Sequence, residues 1–508
     1  MRYKLLFLIL VLTIFKAFTI DLIATRPLND YDEARYAEVA KNIVKTDGWL
    51  VPLAGGPDEP RELVYAKLEN GEELYPFFWK PPLTMWRQAI SMKIFGVNEF
   101  AVRFPSLVAS LGILVVLFFL LRLYKVRSLI ALPLLLIFSI SYDFSYLASQ
   151  GTTDALLTFL SLVVIYFSHR DEKYSVVIAG IATGLAFLTK SVATFWILPL
   201  YILIKILRKK YSVKEIGSYV MVLFLVAAPW FMYMYLTFGD IFIARHFLLN
   251  LNGGAAVRQN IAPIQWYLIY MLDMWKPLVF LSPLVIYVTL KKIVEGDRRF
   301  LIIFLWICFI LIPFSLSTSK VWWYIYPMWP AFIVLLGLSL QEVMKNKIHL
   351  ALVFTLLFIS LLPYWQLSTQ HIPLKPFLAL IAVTTGIFFM FQRTARKNYD
   401  KVAVAMMLIM VGITKYHSHL NFPKNPAMNS SIKNLAARNQ NLTNISVLGR
   451  AYEAPLFYFN SGNVLTSITS YESDDYLIVK MGSIIPDSKK FDLIDKEGDL
   501  LLYKRKAE

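Results

Sequence analysis

Asp30-Tyr31-Asp32-Glu33-Ala34-Arg35-Tyr36-Ala37-Glu38 sets four carboxylates and an arginine into nine residues of a chain otherwise dominated by apolar runs. It follows the first hydrophobic run and precedes Trp79-Lys80-Pro81-Pro82. Around it the composition is that of a membrane protein. Of 508 residues, 57% are hydrophobic and 17% charged, more apolar surface than a soluble core of that size uses. The net charge of +17 comes from Lys and Arg gathered in short loops between apolar runs. That pattern marks the cytoplasmic side of a bilayer rather than a nucleic-acid surface. The single cysteine, Cys308, lies inside an apolar run and forms no intrachain disulfide.

Working outward, runs near the roughly 20 residues needed to cross a bilayer number about thirteen. They fall at 4 to 23, 104 to 122, 128 to 147, 152 to 168, 174 to 189, 191 to 207, 216 to 237, 277 to 291, 299 to 316, 321 to 340, 348 to 365, 373 to 391 and 401 to 416. Arg2 and Lys4 precede the first run and no small-residue cleavage site follows it, so it reads as a retained helix. Charge sets the orientation. With a cytoplasmic N-terminus, every inside loop carries at least two Lys or Arg, and Lys205 to Lys214 alone carries five. Residues 24 to 103, 238 to 276 and the tail from about 420 to 508 then lie outside.

These segments divide the chain into a membrane unit, 1 to 420, and a polar tail, 421 to 508. Strand patterns at Asn444 to Leu448, Tyr476 to Lys480 and Asp499 to Lys504, with a helix near Ser430 to Arg438, predict a small extracytoplasmic α/β domain. The tail also holds three N-glycosylation patterns, beginning at Asn429, Asn441 and Asn444.

Asp30 to Lys45 predicts an amphipathic helix lying in the outer interface, with Tyr36, Val39, Ala40, Ile43 and Val44 on its apolar face and Gly48 ending it. Asp30 and Glu33 have capping-box spacing, which competes with a catalytic role for Glu33. Asp32 and Arg35, three apart on one face, suit a carboxylate held in a defined orientation. Asp154 opens a span at the outer boundary, where it serves either as an acid of the site or as a first-turn helix residue. Lys190, Lys320 and Tyr324 reach the same face, as do Arg245, His246 and Arg258 of the second outer loop. Snorkelling and an aromatic belt are the plain structural alternatives for these groups. Together, cations that hold phosphate and carboxylates that take a proton are what a lipid-linked phosphosugar requires.

Asp32-Glu33-Ala34-Arg35-Tyr36-Ala37-Glu38, Gly48-Trp49-Leu50-Val51-Pro52, Lys80-Pro81-Pro82-Leu83, Phe95-Gly96-Val97-Asn98-Glu99-Phe100 and Arg103 resemble the bacterial relatives of lipid A 4-amino-4-deoxy-L-arabinose transferase. That is a GT-C glycosyltransferase family related to the protein O-mannosyltransferases. The likeness continues through Gly151-Thr152-Thr153-Asp154-Ala155, Leu188-Thr189-Lys190, Pro229-Trp230, Gly239-Asp240, His246-Phe247 and Lys320 to Pro330.

The resemblance implies an α-helical polytopic membrane protein of the GT-C type, with about thirteen membrane helices, outer juxtamembrane helices and a small C-terminal extracytoplasmic α/β domain. It implies an enzyme of the cytoplasmic membrane that moves a sugar from a polyprenyl-phosphate donor to an extracytoplasmic lipid A, glycan or protein acceptor. Asp32, Asp154 and Glu33 are then the catalytic carboxylates, and Arg35, Lys80, Lys190, Lys320, Tyr324, Arg245 and Arg258 the substrate-binding set. The family's metal ligand before the motif lysine is Glu, and this chain has Trp79 there. His246 is left as a lone candidate ligand, and one histidine does not make a metal site, so no cofactor is assigned. A lipid-linked sugar transporter or a non-catalytic homologue are the alternative readings. A transporter calls for polar or broken helices at mid-membrane, whereas these acids sit at the outer edge.

Overall fold

The computed structural model describes residues 23–24, 26–29, 32–55, 63–67, 73–248, 261–274, 281–344, 427–442, 445–448, 457–459, 465–468, 475–480 and 490–506. Most of the expected span at 4 to 23, the first residues of that at 277 to 291, all of those at 348 to 365, 373 to 391 and 401 to 416, and Asp30, Arg258, Thr443 and Asn444 lie outside these residues.

Among the described residues five helices are long and apolar enough to cross a membrane, or six if one bent pair is a single span. They are α3 (Glu99–Leu123), α7 (Lys173–Lys190 with the 3-10 turn Ser191–Thr194), α9 (Val213–Phe238), α12 (Arg298–Leu316) and the 3-10 turn Trp322–Met328 running into α13 (Trp329–Val343). The bent pair is α4 (Ser128–Ile140) and α5 (Tyr142–Ala148), which meet at 60°. Two shorter apolar helices, α6 (Asp154–Ser168) and α8 (Ile197–Leu207), complete the run between them. The helices α10 (Trp266–Met274) and α11 (Ser282–Val294), the latter covering much of the expected span at 277 to 291, precede α12. The expected spans from 104 to 237 and from 299 to 340 all reappear, several with shifted ends. The span at 104 starts earlier because Asn98 caps α3, its side chain accepting from the Ala101 N–H at 2.9 Å.

Small residues set the helix spacing. A Cβ on Gly180 would lie 2.8 Å from Val222, and one on Gly184 would lie 2.6 Å from Val226. Two glycines one turn apart on α7 thus receive two valines one turn apart on α9, the close approach that membrane helices use in place of hydrophobic burial. Thr183 Oγ1 and the Tyr219 hydroxyl bond across the same seam at 2.6 Å.

Over one end of this bundle lies the segment that precedes α3. It contains α1 (Asp32–Thr46), strands β1 (Leu53–Ala54), β2 (Ala66–Lys67) and β3 (Glu73–Pro76), and α2 (Leu83–Phe95). The strands form an antiparallel sheet in the order β1-β3-β2. Part of the charged stretch from Gly55 to Pro76 is therefore a hairpin arm, in which Lys67 pairs with Glu73 at 2.6 Å. The helix α1 does not float with one face in the interface, as the pattern predicts. Ala34, Ala37, Ala40 and Ile43 are fully buried, and so nearly are Glu38, Lys41 and Asn42 on its polar face. Those polar groups find partners: Glu38 accepts from Gly55 N–H at 2.9 Å, and Asn42 donates to the Leu53 carbonyl at 3.2 Å. Its end is set by Asp47 in a left-handed conformation (φ 54°), one residue before Gly48.

The tail forms α14 (Ala427–Arg438) and a five-stranded sheet of β4 (Ile445–Leu448), β5 (Leu465–Ile468), β6 (Tyr476–Lys480), β7 (Phe491–Glu497) and β8 (Leu500–Arg505). The order is β5-β4-β6-β8-β7. Strands β4, β6 and β8 sit where the pattern places them. β5 and the largely exposed, charged β7 carry no comparable apolar signal. The β7–β8 hairpin turns at Gly498 (φ 57°), a backbone that favours glycine.

Gly184→Ala tests the α7–α9 seam. Its methyl meets Val226 and the Leu223 carbonyl, at 2.6 and 2.9 Å, and is expected to cost about 1–3 kcal/mol by overpacking, read as a lower unfolding temperature in detergent. An unchanged unfolding temperature refutes the seam.

Candidate functional site

The helices α6 and α7 form an antiparallel hairpin, so the first residue of one, Asp154, and the last of the other, Lys190, arrive at the same membrane face. Helix dipoles favour both charges there, an anion at an N-terminus and a cation at a C-terminus. Lys190 Nζ donates to Asp154 Oδ1 at 2.6 Å, with both side chains buried. The ammonium also lies 4.9 Å from the centre of the Tyr324 ring, a cation–π contact. Directly after Lys190 the helix breaks at Ser191, whose φ of 45° is a conformation that side-chain-bearing residues rarely adopt.

Asp32, the first residue of α1, is exposed. One turn on, the buried Tyr36 hydroxyl hydrogen-bonds to it. Burial chiefly, and then the Asp32 and Asp154 charges, hold Tyr36 well above the usual phenol range, so it donates and does not ionise. Lys80 enters from the turn before α2. Burial lowers its ammonium below the usual lysine value, Asp32 pulls it back up, Lys190 pushes it down and Asp154 raises it. Asp32, Lys80, Asp154, Lys190 and Tyr324 are therefore electrostatic neighbours in one cluster, two carboxylates with two ammonium groups. Arg35 is half-buried on α1, three residues after Asp32.

Glu33 has a different place from its neighbour. Arg103 grips it with Nε at 2.8 Å on Oε1 and Nη2 at 2.9 Å on Oε2. The Gly151 N–H donates to Oε1 at 2.7 Å, and the Asn29 N–H to Oε2 at 2.8 Å. Burial alone would raise its pKa; the Arg103 charge and hydrogen bonds, the Arg26 charge and the Asn29 N–H outweigh it, and the group is held below the usual carboxylate range. With both oxygens occupied and the side chain 1% exposed, Glu33 is engaged as an anchor of α1 at the position where the motif reading expects a catalytic carboxylate. Its return bond goes to Asn29, outside the predicted Asp30 capping box.

Lys320 is likewise engaged elsewhere. Its ammonium donates to the Ala262 carbonyl at 2.9 Å and to the Ser317 carbonyl, fastening residue 262 to the loop before Trp322. Arg245 is half-buried on the π-helical turn Ala244–Leu248. On that turn His246 is fully buried among Trp230, Phe231, Phe242 and Phe247, and its Nδ1–H donates to the Phe78 carbonyl at 2.7 Å. No group of three or more His, Cys, Asp or Glu suited to a metal ion occurs among the described residues. The carbonyl-bound Nδ1 of His246 is the orientation that metal-ligating histidines also show, but within the described residues it stands as a single candidate ligand, and one histidine does not make a metal site.

Two contributors escape the sequence reading. Tyr36 reads as an apolar-face residue, although its i, i+4 spacing from Asp32 is the signal that pairs them. Arg103 carries no local sign of a partner 70 residues away.

Residues 79–234 match the family model of dolichyl-phosphate-mannose-protein mannosyltransferase. The undecaprenyl phosphate-alpha-4-amino-4-deoxy-L-arabinose arabinosyl transferase of Aeromonas salmonicida is 28% identical over 380 residues, 68% of this chain and 63% of its own. The chain thus spans just under two thirds of the length of that curated relative. An uncharacterized protein of Aquifex aeolicus is 29% identical over 365 residues, 69% of this chain and 68% of its own. Among solved structures, ArnT from Cupriavidus metallidurans in the apo state superposes with a TM-score of 0.71 at 17% identity, over 99% of this chain and 97% of that one. The same protein bound to undecaprenyl phosphate gives 0.68 at 16%, over 99% and 98%. The Archaeoglobus fulgidus oligosaccharyltransferase in its apo form gives 0.54 at 12%, over 91% and 64%. At such identities the structural likeness is one of fold.

His246 supplies a pH test. Burial, the largest cause, and Lys80 lower its pKa to about 4 against the Phe78 hydrogen bond. The unfolded chain then binds a proton near pH 6.5 that the folded chain refuses, so stability falls as pH drops from 6.5 towards 4, by about 3 kcal/mol at full extent. His246→Phe is expected to flatten that part of the pH dependence of unfolding; an unaltered slope contradicts the assignment.

Proposed function

The chain is related to the GT-C glycosyltransferases of the aminoarabinose transferase and protein O-mannosyltransferase type, and on that premise we propose that it moves a sugar from a polyprenyl-phosphate donor to an extracytoplasmic acceptor. The observation that carries this reading is the pairing of the exposed Asp32 with the buried Asp154–Lys190 ion pair and Lys80 at one end of the bundle. A phosphate and a nucleophile need such a set together: fixed cations for the leaving group, and an accessible carboxylate for the proton.

In the proposed reaction the polyprenyl phosphate lies against Lys80 and Lys190, beside Tyr324. The acceptor hydroxyl gives its proton to Asp32, and its oxygen bonds to the anomeric carbon. The bond from that carbon to the phosphate oxygen breaks, its electron pair staying with the polyprenyl phosphate. The two ammonium groups stabilise that growing charge from preset positions. Displacement from the opposite face inverts the anomeric centre. Asp154 keeps Lys190 aimed, and Tyr36 keeps Asp32 oriented. Arg35, Arg245 and Arg258 are proposed to meet the substrate, and Lys320 to serve by holding its loop.

The reading extends to the whole chain: residues 1 to 420 form the catalytic membrane unit and 421 to 508 an extracytoplasmic domain, in the cytoplasmic membrane with the N-terminus inside. The acceptor is proposed to be lipid A, another glycan or a protein. Asp32→Asn is nearly isosteric and exposed, so folding is expected to survive, whereas kcat should fall by about 10³ or more if the carboxylate is the base. The assay is transfer from undecaprenyl-phosphate-linked sugar to envelope acceptors by reconstituted protein, followed by mass spectrometry. Near-normal turnover by Asp32→Asn would sink the proposal.

A further inference from the structure

The segment that launches α1 is held from two sides. From the bundle, Arg103 takes the carbonyls of Arg26 and Pro27, the latter at 2.8 Å, while Glu33 takes the Asn29 N–H. From the tail, the Tyr458 hydroxyl accepts the Leu28 N–H at 2.8 Å and donates to Glu99 Oε1 at 3.0 Å. Lys433 of α14 closes this relay with Nζ 2.5 Å from the same oxygen. The neighbouring carbonyls of Phe457 and Phe459 accept from the buried Lys41 Nζ at 2.8 and 2.9 Å, two to three turns along α1 from Asp32. Phe457 also joins the apolar cluster formed by Ala34, Ala37, Met85 and Val102.

We propose that Tyr458 is a positioning residue for transfer: through the Leu28 N–H and Glu99, the C-terminal segment sets the start of α1 and so the place of Asp32. This rests on the reading of Asp32 as the base. The Leu28 N–H contact comes from the tail. It spans 430 residues of sequence, and it falls four residues before the carboxylate whose placement it governs. A tether of this kind acts on the reacting geometry and leaves the phosphate-binding lysines untouched, since Lys80 and Lys190 sit on other elements. The C-terminal segment is then part of the catalytic apparatus through a positioning contact.

Tyr458→Phe removes the hydroxyl and keeps the ring, and it is tested in the full chain in lipid nanodiscs. Amide hydrogen exchange over 26–38 is expected to speed up about tenfold, the loss of one hydrogen bond, with α7 and α9 unchanged. With a donor that the wild type turns over, kcat is expected to fall about tenfold while the donor KM stays within about twofold. Unchanged exchange over 26–38 overturns the tether, independently of any assay of transfer. Faster exchange with unchanged kcat overturns its role in the reaction. Faster exchange in a protein whose wild type transfers no polyprenyl-phosphate sugar overturns the functional reading instead. Glu99→Gln keeps an acceptor for Tyr458 but removes the charge that pairs with Lys433, and covers the case in which Tyr458→Phe does not fold. The double variant is expected within about twofold of the worse single one, as members of one relay are not additive; multiplied losses overturn the relay.

Discussion

The buried ion pair of Glu33 and Arg103 is the constraint on which the rest of the site depends. Both side chains are sealed, at 1% and 0% exposure, and an isolated charge in such a place is not tolerated. Replacing such a pair by apolar residues is often neutral, but removing one partner typically costs about 3–5 kcal/mol. The pair therefore gives little net stability and much geometry. One carboxylate holds the Asn29 N–H ahead of α1 and the Gly151 N–H ahead of α6. Asp32 and Asp154, the first residues of those two helices, are thereby indexed to a single group. Gly151 can be approached so closely because a Cβ there would lie 2.4 Å from Val102 and 2.7 Å from Gln88.

From that index follows a division of labour among acids that look alike in sequence. Glu33 has its oxygens occupied, and Asp154 is matched by Lys190. Asp32, adjacent to Glu33, is exposed, with the Tyr36 hydroxyl bonded to it and the Lys80 and Lys190 charges acting on it. The carboxylate left accessible is the one beside the two fixed cations. Lys320 illustrates the opposite outcome, since its ammonium is spent on two backbone carbonyls that a loop at the membrane edge would otherwise leave unsatisfied.

The bundle below supports this arrangement by rigidity. Glycines 180 and 184 bring α7 against α9, and the Thr183–Tyr219 bond locks that seam. The position of Lys190 at the end of α7 is thus set over the length of a helix. On the other side α1 is enclosed by α2, the β1–β3 strands and the tail residues 457–459. That enclosure explains why polar groups such as Glu38, Lys41 and Asn42 are buried on a helix whose pattern reads as amphipathic.

The sequence alone determined the apolar runs, the helix ends near them, the edge at which Asp154 and Lys190 meet, and most strands of the tail. Those features depend on period, composition and hairpin direction, which act within a turn or two of the chain. Its motifs also determined the kinship, since the aspartate and lysine patterns stand in contiguous residues. Only the tertiary structure decided that Glu33 anchors while Asp32 stays open, that Lys320 clamps a loop, that Tyr36 serves Asp32 and that Tyr458 reaches Leu28. The partners of Glu33 and Leu28 lie 70 and 430 residues away. The side chain that neutralises a charge or satisfies an N–H is chosen by which elements dock, and no local pattern records that choice.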